Sequence, residues 1–291
     1  MGEISLTRII KPKNISKVAV LHGGTSEEKE VSNSTAESCI DAIEKMGFDV
    51  EALSVDSTNM QDLADFIKVK NPDVIFNALH GGIGENGTIQ GLFEVLNIPY
   101  THSGVLSSAI AMDKFISKKI FKTFGLPVIE DQLLNAEDEL NGIVIKPPFV
   151  IKPNNGGSSV GVHFIKSEEQ IEEFRRFVSD QDRKYLLEKY IPGRELTVAV
   201  LNGRPLTVTD IVTDDWYDYD SKYKSGGSEH IVPADIPKEI FDLCINYAVK
   251  AHNSLGCRGV TRSDFRWNEK NGKEGLYILE LNTQPGMTRT S

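Results

Sequence analysis

Apolar segments that alternate with amphipathic helical patterns run through the N-terminal third of the chain. Segments 17–21, 48–55 and 73–80 have the composition or alternation of strands, and the first and third lead into glycine-rich turns. Between the first two, apolar residues recur at i, i+3, i+4 and i+7, the spacing of one buried helix face: Ala36, Cys39, Ile40 and Ile43. Strands that alternate with helices predict an open parallel α/β unit, which we place at residues 1–102.

The rest of the chain has a different pattern, in which several strands follow one another. A basic amphipathic helix is predicted for about residues 111–125, and two strands with a glycine-rich loop between them follow within 147–165. This succession predicts an α+β unit at 103–190. The strands, helix and hairpin that come after it predict a further unit at 191–291.

Length and composition exclude some classes of protein. The chain has 291 residues and a formal net charge of -10, which argues against nucleic acid as the main partner because phosphate binding requires a basic face. No apolar run approaches the ~20 residues that span a bilayer, and the N-terminus lacks the apolar core of a signal peptide. The cysteines are scattered without metal-ligand spacing, which indicates reduced thiols. We therefore expect a cytoplasmic protein with no membrane segment.

The glycines Gly82, Gly84 and Gly87 fit the G-x-G-x-x-G pattern of dinucleotide-binding folds. Such folds also carry an acidic residue about 20 positions later to bind the ribose, and segment 101–109 contains none. We therefore rank an NAD-dependent oxidoreductase below a tight turn that places His80 at the carboxyl end of a strand.

Residues 152–161 (KPNNGGSSVG) combine a lysine with glycines and serines between two apolar strands. Backbone N–H groups of such a loop can surround phosphate oxygens, and Lys152 supplies a positive charge. No Gly-Lys-Ser/Thr follows, so the segment is not a Walker A loop. A solvent-exposed hairpin is the alternative, but it does not require a segment of this length, and we favour a phosphate-binding loop.

Two β patterns flank a polar turn near the end of the sequence, which predicts a hairpin centred near Gly272. Symmetry about Gly272 places Asp264 opposite Glu280 and Arg262 opposite Asn282, all on one face. Such a cluster is expensive to bury unless a cation neutralises it, and oxygen ligands of this kind suit Mg²⁺ bound to nucleotide phosphates. A surface of paired charges is the alternative, but the step from Leu-Glu-Leu-Asn into Thr-Gln-Pro-Gly favours a site.

Two further segments indicate a functional site only in combination with the motifs described above. In TSEEKEVS (25–32), Glu27 or Glu28 can stabilise the positive end of a helix, and capping alone explains Glu27. Segment 217–223 (YDYDSKY) is polar and aromatic without periodicity, which is typical of a loop and, close to a site, of a lid.

Together these motifs resemble the D-alanine–D-alanine ligases of the ATP-grasp superfamily over essentially the whole chain. The matching pieces keep the family's order and compatible spacings: GGTSEEKEVS, ALHGGIGENGTIQG, MDK, VIKPNNGGSSVGV, EKYIPGRELTV, YDYDSKY, TRSDF and LELNTQPGMT. The resemblance implies an N-terminal open parallel α/β domain followed by a two-domain ATP-grasp fold. It also implies that ATP is bound between the central and C-terminal domains, and that the protein is a homodimer.

The resemblance assigns residues to the nucleotide and its metal ions. The ATP phosphates are expected to contact three lysines, the last of them at the transferred phosphate: Lys114, Lys152 and Lys222. The adenine and ribose pocket is expected to be lined by Glu188, Lys189, Ile191 and Glu195. Two Mg²⁺ or Mn²⁺ ions are expected at the hairpin residues Asp264, Glu280 and Asn282.

Other assignments concern the first of two D-alanine substrates, which are joined for peptidoglycan synthesis. Glu28 is expected to bind the ammonium group of this substrate, and His80 is expected to lie beside its carboxylate. Ser158 and Tyr223 are expected to link to Glu28 and to close the lid. A tyrosine at position 223, in place of a phenylalanine, favours D-alanine over D-lactate as the second substrate.

The end of the sequence departs from the family pattern. Arg262 and the Gly286 N–H are expected to form an oxyanion site, and Ser291 matches the residue that binds the carboxylate of the second substrate. In the family a Ser-Leu step and a C-terminal helix follow, whereas this sequence stops at Ser291. We therefore expect either a truncated sequence or impaired binding of the second substrate.

Two alternatives to the ligation of two D-alanines stay open at this point. One is another ATP-grasp ligase that joins a different carboxylate and amine, which the motifs GGTSEEKEVS and YDYDSKY disfavour. The other is an ATP-binding protein with impaired ligase activity. Substrate-dependent release of ADP distinguishes all three.

Overall fold

The computed structural model describes residues 14–57, 59–135, 142–157, 161–177, 184–212 and 229–288. These residues form two compact units: one contains the described residues up to Thr101 together with 286–288, and the other extends from His102 to Pro285. None of the helices within these ranges has both the length and the hydrophobicity that a bilayer crossing requires.

The sheet of the first unit is parallel. Its strands are β1 (Lys17–Gly23), β2 (Asp49–Val55) and β3 (Val74–Asn77), in the order β2-β1-β3. Residues 18–21 of the central strand β1 are all buried, as expected for a strand that has neighbours on both edges and is covered on both faces. The open parallel α/β architecture predicted from the sequence is confirmed.

Helices accompany this sheet: α1 (Lys29–Lys45), α2 (Met60–Lys70), α3 (Gly82–Glu85) and α4 (Thr88–Leu96). The predicted apolar face of α1 is confirmed, because Ala36 and Cys39 are buried and Ile40 and Ile43 pack against the same core as Ala36. Helix α2 begins after Asn59, whose side chain accepts a hydrogen bond from the backbone of the first turn.

Strand β3 is shorter than the strand predicted at 73–80, because the chain turns after Asn77. The Asn77 side chain accepts a hydrogen bond from the Leu79 N–H (3.3 Å) and donates one to the Gly84 carbonyl (3.0 Å). A Cβ at Gly84 would collide with Leu79. The glycine-rich segment, predicted as a tight turn, is therefore the single helical turn α3, which leads from the end of the strand into α4.

The second unit begins with helices α5 (Val105–Met112) and α6 (Lys114–Thr123). They precede an antiparallel sheet of order β4-β7-β5-β6: β4 (Asp131–Asn135), β5 (Phe149–Pro153), β6 (His163–Ile165) and β7 (Lys184–Lys189). Helix α7 (Glu168–Phe177) lies between β6 and β7 in the chain. Strands β5 and β6 are paired, which confirms the hairpin predicted around the glycine-rich loop.

A second antiparallel sheet has the order β10-β9-β8-β11-β12. Its strands are β8 (Arg194–Leu201), β9 (Arg204–Val212), β10 (Glu229–Ile231), β11 (Val260–Trp267) and β12 (Leu276–Asn282). Helix α8 (Lys238–Ser254) covers one face, and its Cys244 and Ala248 are buried with Val198 and Phe265. Phe121 of α6 belongs to the same core, although α6 precedes the first sheet in the chain.

Strands β11 and β12 form the hairpin predicted from the symmetry about Gly272. Arg262 is paired with Asn282, and Asp264 is paired with Glu280, in the expected register. The register shifts immediately after Asp264, so the symmetric pairing ends there. A short 3₁₀ turn joins the strands, and within it Gly272 has a φ of 55°, which a glycine adopts without strain.

Candidate active site

A cleft of about 920 Å³, open solvent included, lies in the second unit and is lined by residues of both antiparallel sheets. Strands β5 and β7 contribute from one sheet, and β8, β11 and β12 contribute from the other. Most of the predicted nucleotide and metal residues line it: Lys114, Lys152, Glu188, Lys189, Ile191, Glu195, Asp264 and Glu280. Residues that sequence reasoning assigned to one site, from distant parts of the chain, therefore do come together.

Lys114 lies at the start of α6 and connects the glycine-rich loop to the hairpin. Its ammonium group donates a hydrogen bond to the Gly156 carbonyl and lies 3.4 Å from Glu280 Oε2. The start of α6 is fixed on the loop by Asn154, whose side-chain oxygen accepts a hydrogen bond from the Phe115 N–H (2.9 Å). One lysine thus faces both the loop predicted to bind phosphate and a carboxylate predicted to bind metal.

Lys152 is the second lysine of the cleft, and it belongs to a chain of alternating charges that we call the ion network: Lys119, Asp131, Lys118, Glu188 and Lys152. The Lys152 ammonium group lies 2.6 Å from Glu188 Oε2, and Lys118 pairs with the other oxygen, Oε1. Lys118 also lies 3.2 Å from Asp131, which Lys119 contacts at 3.0 Å. The network runs from an exposed lysine on α6 to the wall of the cleft.

Charge pairing outweighs burial within this network. Burial alone would raise the pKa of Glu188, but the ammonium groups of Lys118 and Lys152 lower that pKa from 4.5 to about 2. Burial alone would likewise lower the pKa of Lys152, but Glu188 and then Glu280 outweigh it and raise that pKa. Both groups are therefore charged at neutral pH.

The carboxylate face of the hairpin is held by hydrogen bonds to Asp264. The Arg262 guanidinium donates from Nε to Oδ1 and from Nη2 to Oδ2, both at 2.8 Å. The Thr197 hydroxyl on the neighbouring strand β8 donates to Oδ1 (2.7 Å), and the Asn282 amide donates to Oδ2 (3.2 Å). Glu280, the cross-strand partner of Asp264, completes the face.

This donor set fits a hard divalent cation. Mg²⁺ and Mn²⁺ prefer oxygen ligands, and the two carboxylates with the adjacent amide supply them. Within the described ranges no cluster of three or more His, Cys, Asp and Glu side chains is placed to hold a metal. The third ligand offered by this face is the side-chain amide oxygen of Asn282, beside the carboxylates of Asp264 and Glu280.

Arg266 also lines the cleft, and sequence reasoning missed it. It donates from Nε to the Ile191 carbonyl and from Nη1 to Glu195 Oε2, both at 3.3 Å. The signal was present, because Arg262, Asp264 and Arg266 follow one another at every second position of a strand. Lys118 was missed too: it follows Lys114 at i+4, on the buried face of the predicted basic amphipathic helix.

Glu28 and His80 lie in a polar cluster of the first unit, the Glu28–His80 cluster: Ser26, Glu28, Thr35, His80 and Glu85. His80 is buried, its Nε2 lies 3.0 Å from the Thr35 hydroxyl, and its Nδ1 lies 3.3 Å from Glu85 Oε1. The Ser26 hydroxyl donates to the His80 carbonyl (2.6 Å). Gly81 has a φ of 67°, which favours glycine, and a Cβ at this position would lie against the Glu28 carboxylate.

The segment that contains the predicted oxyanion donor Gly286 adjoins this cluster. The N–H of the next residue, Met287, donates to the Thr35 hydroxyl (3.2 Å), which in turn contacts His80. The Met287 sulfur lies 3.7 Å from that of Cys39. Thr35 was not predicted from the sequence, where it is one of several small polar residues on α1.

Four predicted site residues lie outside the described residues: Ser158, Lys222, Tyr223 and Ser291. They include the serine of the glycine-rich loop and the residues assigned to the lid and to the second substrate. Their roles stay predictions.

Comparison with known proteins identifies the family. A family profile described as "D-ala D-ala ligase C-terminus" matches residues 120–291, and one described as "D-ala D-ala ligase N-terminus" matches residues 55–103. The D-alanine–D-alanine ligase of Cereibacter sphaeroides is 51% identical over 279 residues, which cover 96% of this chain and 89% of the relative. That of Roseobacter denitrificans is 52% identical, with 94% and 84% covered.

The fold comparison agrees. The crystal structure of the D-alanine–D-alanine ligase from Bacillus anthracis in complex with ATP superimposes with a TM-score of 0.81 at 30% identity, and the match covers 95% of this chain and 89% of that one. The profile match at residues 120–291 includes the hairpin with Asp264 and Glu280 and the cleft residue Lys152. The chain belongs to the D-alanine–D-alanine ligase family.

Proposed function

We propose that this chain is an ATP-dependent ligase that joins two molecules of D-alanine for peptidoglycan synthesis. The observation that carries the proposal is the cleft of the second unit, where two buried lysines and the carboxylates of one hairpin meet. A site for the phosphates of ATP requires such cations, and a site for its metal ions requires such carboxylates. Close relatives that bear the name of this ligase support the choice of substrate.

In the proposed complex, the nucleotide occupies the cleft. Lys114 and Lys152 contact its phosphates. Arg266 donates a hydrogen bond to the carboxylate of Glu195 and holds it near the ribose. The adenine and ribose are lined by Glu188, Lys189, Ile191 and Glu195. Lys222 approaches the phosphate that is transferred.

Asp264, Glu280 and Asn282 would hold Mg²⁺ or Mn²⁺, as two ions. Bound there, the cations would neutralise negative charge on the phosphates during transfer. The protein's own contribution is to fix these oxygen ligands. Thr197 and Arg262 hold the Asp264 carboxylate in one orientation, and a cation would take the place of one of the donors that now occupy its oxygens.

The first D-alanine would bind at the Glu28–His80 cluster, with its ammonium group on Glu28 and its carboxylate beside His80. The carboxylate takes the γ-phosphoryl group of ATP and becomes an acyl phosphate, with release of ADP. The amine of the second D-alanine attacks the acyl carbon, phosphate leaves, and a peptide bond forms.

Further groups would support the second step. Arg262 and the Gly286 N–H stabilise the negative charge that develops on the carbonyl oxygen. Ser158 and Tyr223 close the lid, which keeps water away from the acyl phosphate. Ser291 binds the carboxylate of the second substrate.

We also propose three domains, at residues 1–102, 103–190 and 191–291. Separate hydrophobic cores under the two antiparallel sheets support the division of the second unit. Helices α5 and α6 share the core of the C-terminal sheet through Ala111 and Phe121, so this part of the central domain packs with its neighbour. A homodimer and a cytoplasmic location complete the proposal.

The test is release of ADP by the purified chain with ATP, Mg²⁺ and either D-alanine or L-alanine. We expect turnover with the D isomer alone and formation of the dipeptide. ADP release with another carboxylate and amine, but not with D-alanine, would identify a different ligase of the superfamily. ATP binding without turnover on any amino acid would contradict the ligase activity.

A further inference from the structure

Lys118 is a cation with no access to solvent. Its side chain is 0% exposed, whereas that of the adjacent Lys119 is 49% exposed. Lys118 is not part of the wall of the cleft. A fully buried ammonium group is costly unless it is paired, so its partners indicate what it does.

The partners of Lys118 lead to the cleft. Its ammonium group pairs with Glu188 Oε1 and lies 3.2 Å from Asp131, while Glu188 Oε2 is 2.6 Å from Lys152. Glu188 is thus shared between one lysine inside the protein and one lysine at the cleft. Each carboxylate has a second lysine partner, Lys119 for Asp131 and Lys152 for Glu188. Loss of Lys118 would therefore leave the Glu188 charge to the lysine of the cleft.

The balance of charge decides what the cleft presents. The ion network contains three ammonium groups and two carboxylates, which leaves one net positive charge. Without Lys118 the network would be neutral, and Glu188 would have Lys152 as its remaining ammonium partner within the network. A phosphate that approached Lys152 would then meet a Glu188 carboxylate whose charge Lys152 alone offsets within the network.

We propose that Lys118 is a positioning residue for nucleotide phosphates, and that it acts through Glu188 on Lys152. It holds the Glu188 carboxylate in place and offsets its charge, so that Lys152 retains positive charge for a phosphate. This inference rests on the proposed function, because it requires ATP to bind in the cleft.

A merely structural role for Lys118 has a different consequence. Loss of a structural ion pair loosens the cleft and weakens every ligand that binds there. Loss of a charge that offsets Glu188 weakens binding of the phosphates much more than binding of the nucleoside, whose proposed pocket Glu188 also lines. ATP and adenosine are therefore the two probes that separate the alternatives.

The experiment measures dissociation constants of ATP and adenosine by calorimetry for the unsubstituted chain, Lys118→Met and Lys119→Met. Lys119→Met is the matched control, because the adjacent lysine contacts Asp131 but not Glu188. We expect Lys118→Met to weaken ATP by at least about tenfold and adenosine by no more than about twofold. Lys119→Met should change neither by more than about twofold.

A second pair of variants covers the case in which Lys118→Met does not fold. Glu188→Gln and the double variant Lys118→Met/Glu188→Gln lack the carboxylate that Lys118 is inferred to offset, and the double variant leaves no unpaired charge at either position. Their dissociation constants for ATP should agree within about threefold, because without Glu188 there is no carboxylate charge for Lys118 to offset.

Three results would overturn the inference while leaving the proposed function intact. These are equal losses of ATP and adenosine affinity in Lys118→Met, equal effects of Lys118→Met and Lys119→Met, and a loss of about tenfold or more between Glu188→Gln and the double variant. Failure of the unsubstituted chain to bind ATP would instead overturn the proposed function, and this inference with it.

Discussion

The cleft of the second unit and the Glu28–His80 cluster of the first unit are both buried and polar, but different interactions hold them. In the cleft, full charges are paired with full charges, from Lys118 through Glu188 to Lys152. In the cluster, hydroxyl groups and backbone carbonyls carry most of the contacts, as in the bonds from Ser26 to His80 and from Met287 to Thr35.

This difference matches what each site is proposed to bind. A nucleoside triphosphate carries several negative charges, so its site must hold several cations. These cations would repel one another without carboxylates between them. An amino acid is a zwitterion with no net charge, and its site can be built mainly from hydrogen bonds around the carboxylates of Glu28 and Glu85. We therefore expect substitutions in the cleft to cost more than substitutions in the cluster.

The largest effect is expected for Glu188→Gln. The amide keeps the size of the side chain but leaves Lys118 and Lys152 buried without their shared partner, so the free energy of unfolding should fall by about 3 kcal/mol. Urea unfolding followed by circular dichroism measures it. The control Glu130→Gln, at an exposed carboxylate, should lie within about 0.5 kcal/mol of the unsubstituted chain. Equal stability of the two variants would show that the ion network is not held by charge.

Acid should remove this contribution. The pKa of Glu188 is lowered to about 2 in the folded protein from 4.5, so its stabilisation is present above about pH 4.5 and is lost as the pH falls toward 2. The difference in unfolding free energy between the unsubstituted chain and Glu188→Gln should shrink by about 2 kcal/mol between pH 6 and pH 3. A difference that stays constant over this range would contradict the paired state of Glu188.

A substitution in the carboxylate face of the hairpin is a second test of the cleft. Glu280→Gln removes one of the proposed anionic ligands, so the Mg²⁺ concentration that gives half-maximal ADP release should rise by about tenfold or more. Glu274→Gln, in the exposed turn of the same hairpin, is the control and should leave it unchanged. Full activity of Glu280→Gln at limiting Mg²⁺ would remove Glu280 from the metal site.

The smallest effect is expected in the Glu28–His80 cluster. Thr35→Val removes one hydroxyl that contacts both His80 and the Met287 N–H. The loss of about 1 kcal/mol of hydrogen bonding should lower kcat/KM for D-alanine about fivefold and leave the dissociation constant of ATP within about twofold. Ser34→Ala, at the exposed neighbouring position, should change neither. If Thr35→Val lowered the free energy of unfolding as much as Glu188→Gln, the distinction between the two regions would be lost.

Much of the fold and part of the candidate site followed from local patterns. Apolar periodicity identified the parallel strands and the buried face of α1, because burial on one face imposes a period on the sequence. The pairs Arg262–Asn282 and Asp264–Glu280 followed from the position of Gly272, because the register of a hairpin is fixed by its turn. The limits of strands followed less well: β3 ends at Asn77 because its side chain bonds to residues beyond it.

The sequence by itself therefore determined the elements, their order, the hairpin face and the family. Only the tertiary structure decided which polar side chains are buried together. Lys118 is one of several lysines on a basic helix, and Thr35 is one of several hydroxyl residues on α1. Their partners, Glu188 and Met287, lie far away in the chain. A local pattern shows that a position is buried, but the partner that makes a buried charge or hydroxyl tolerable is supplied by packing between distant segments.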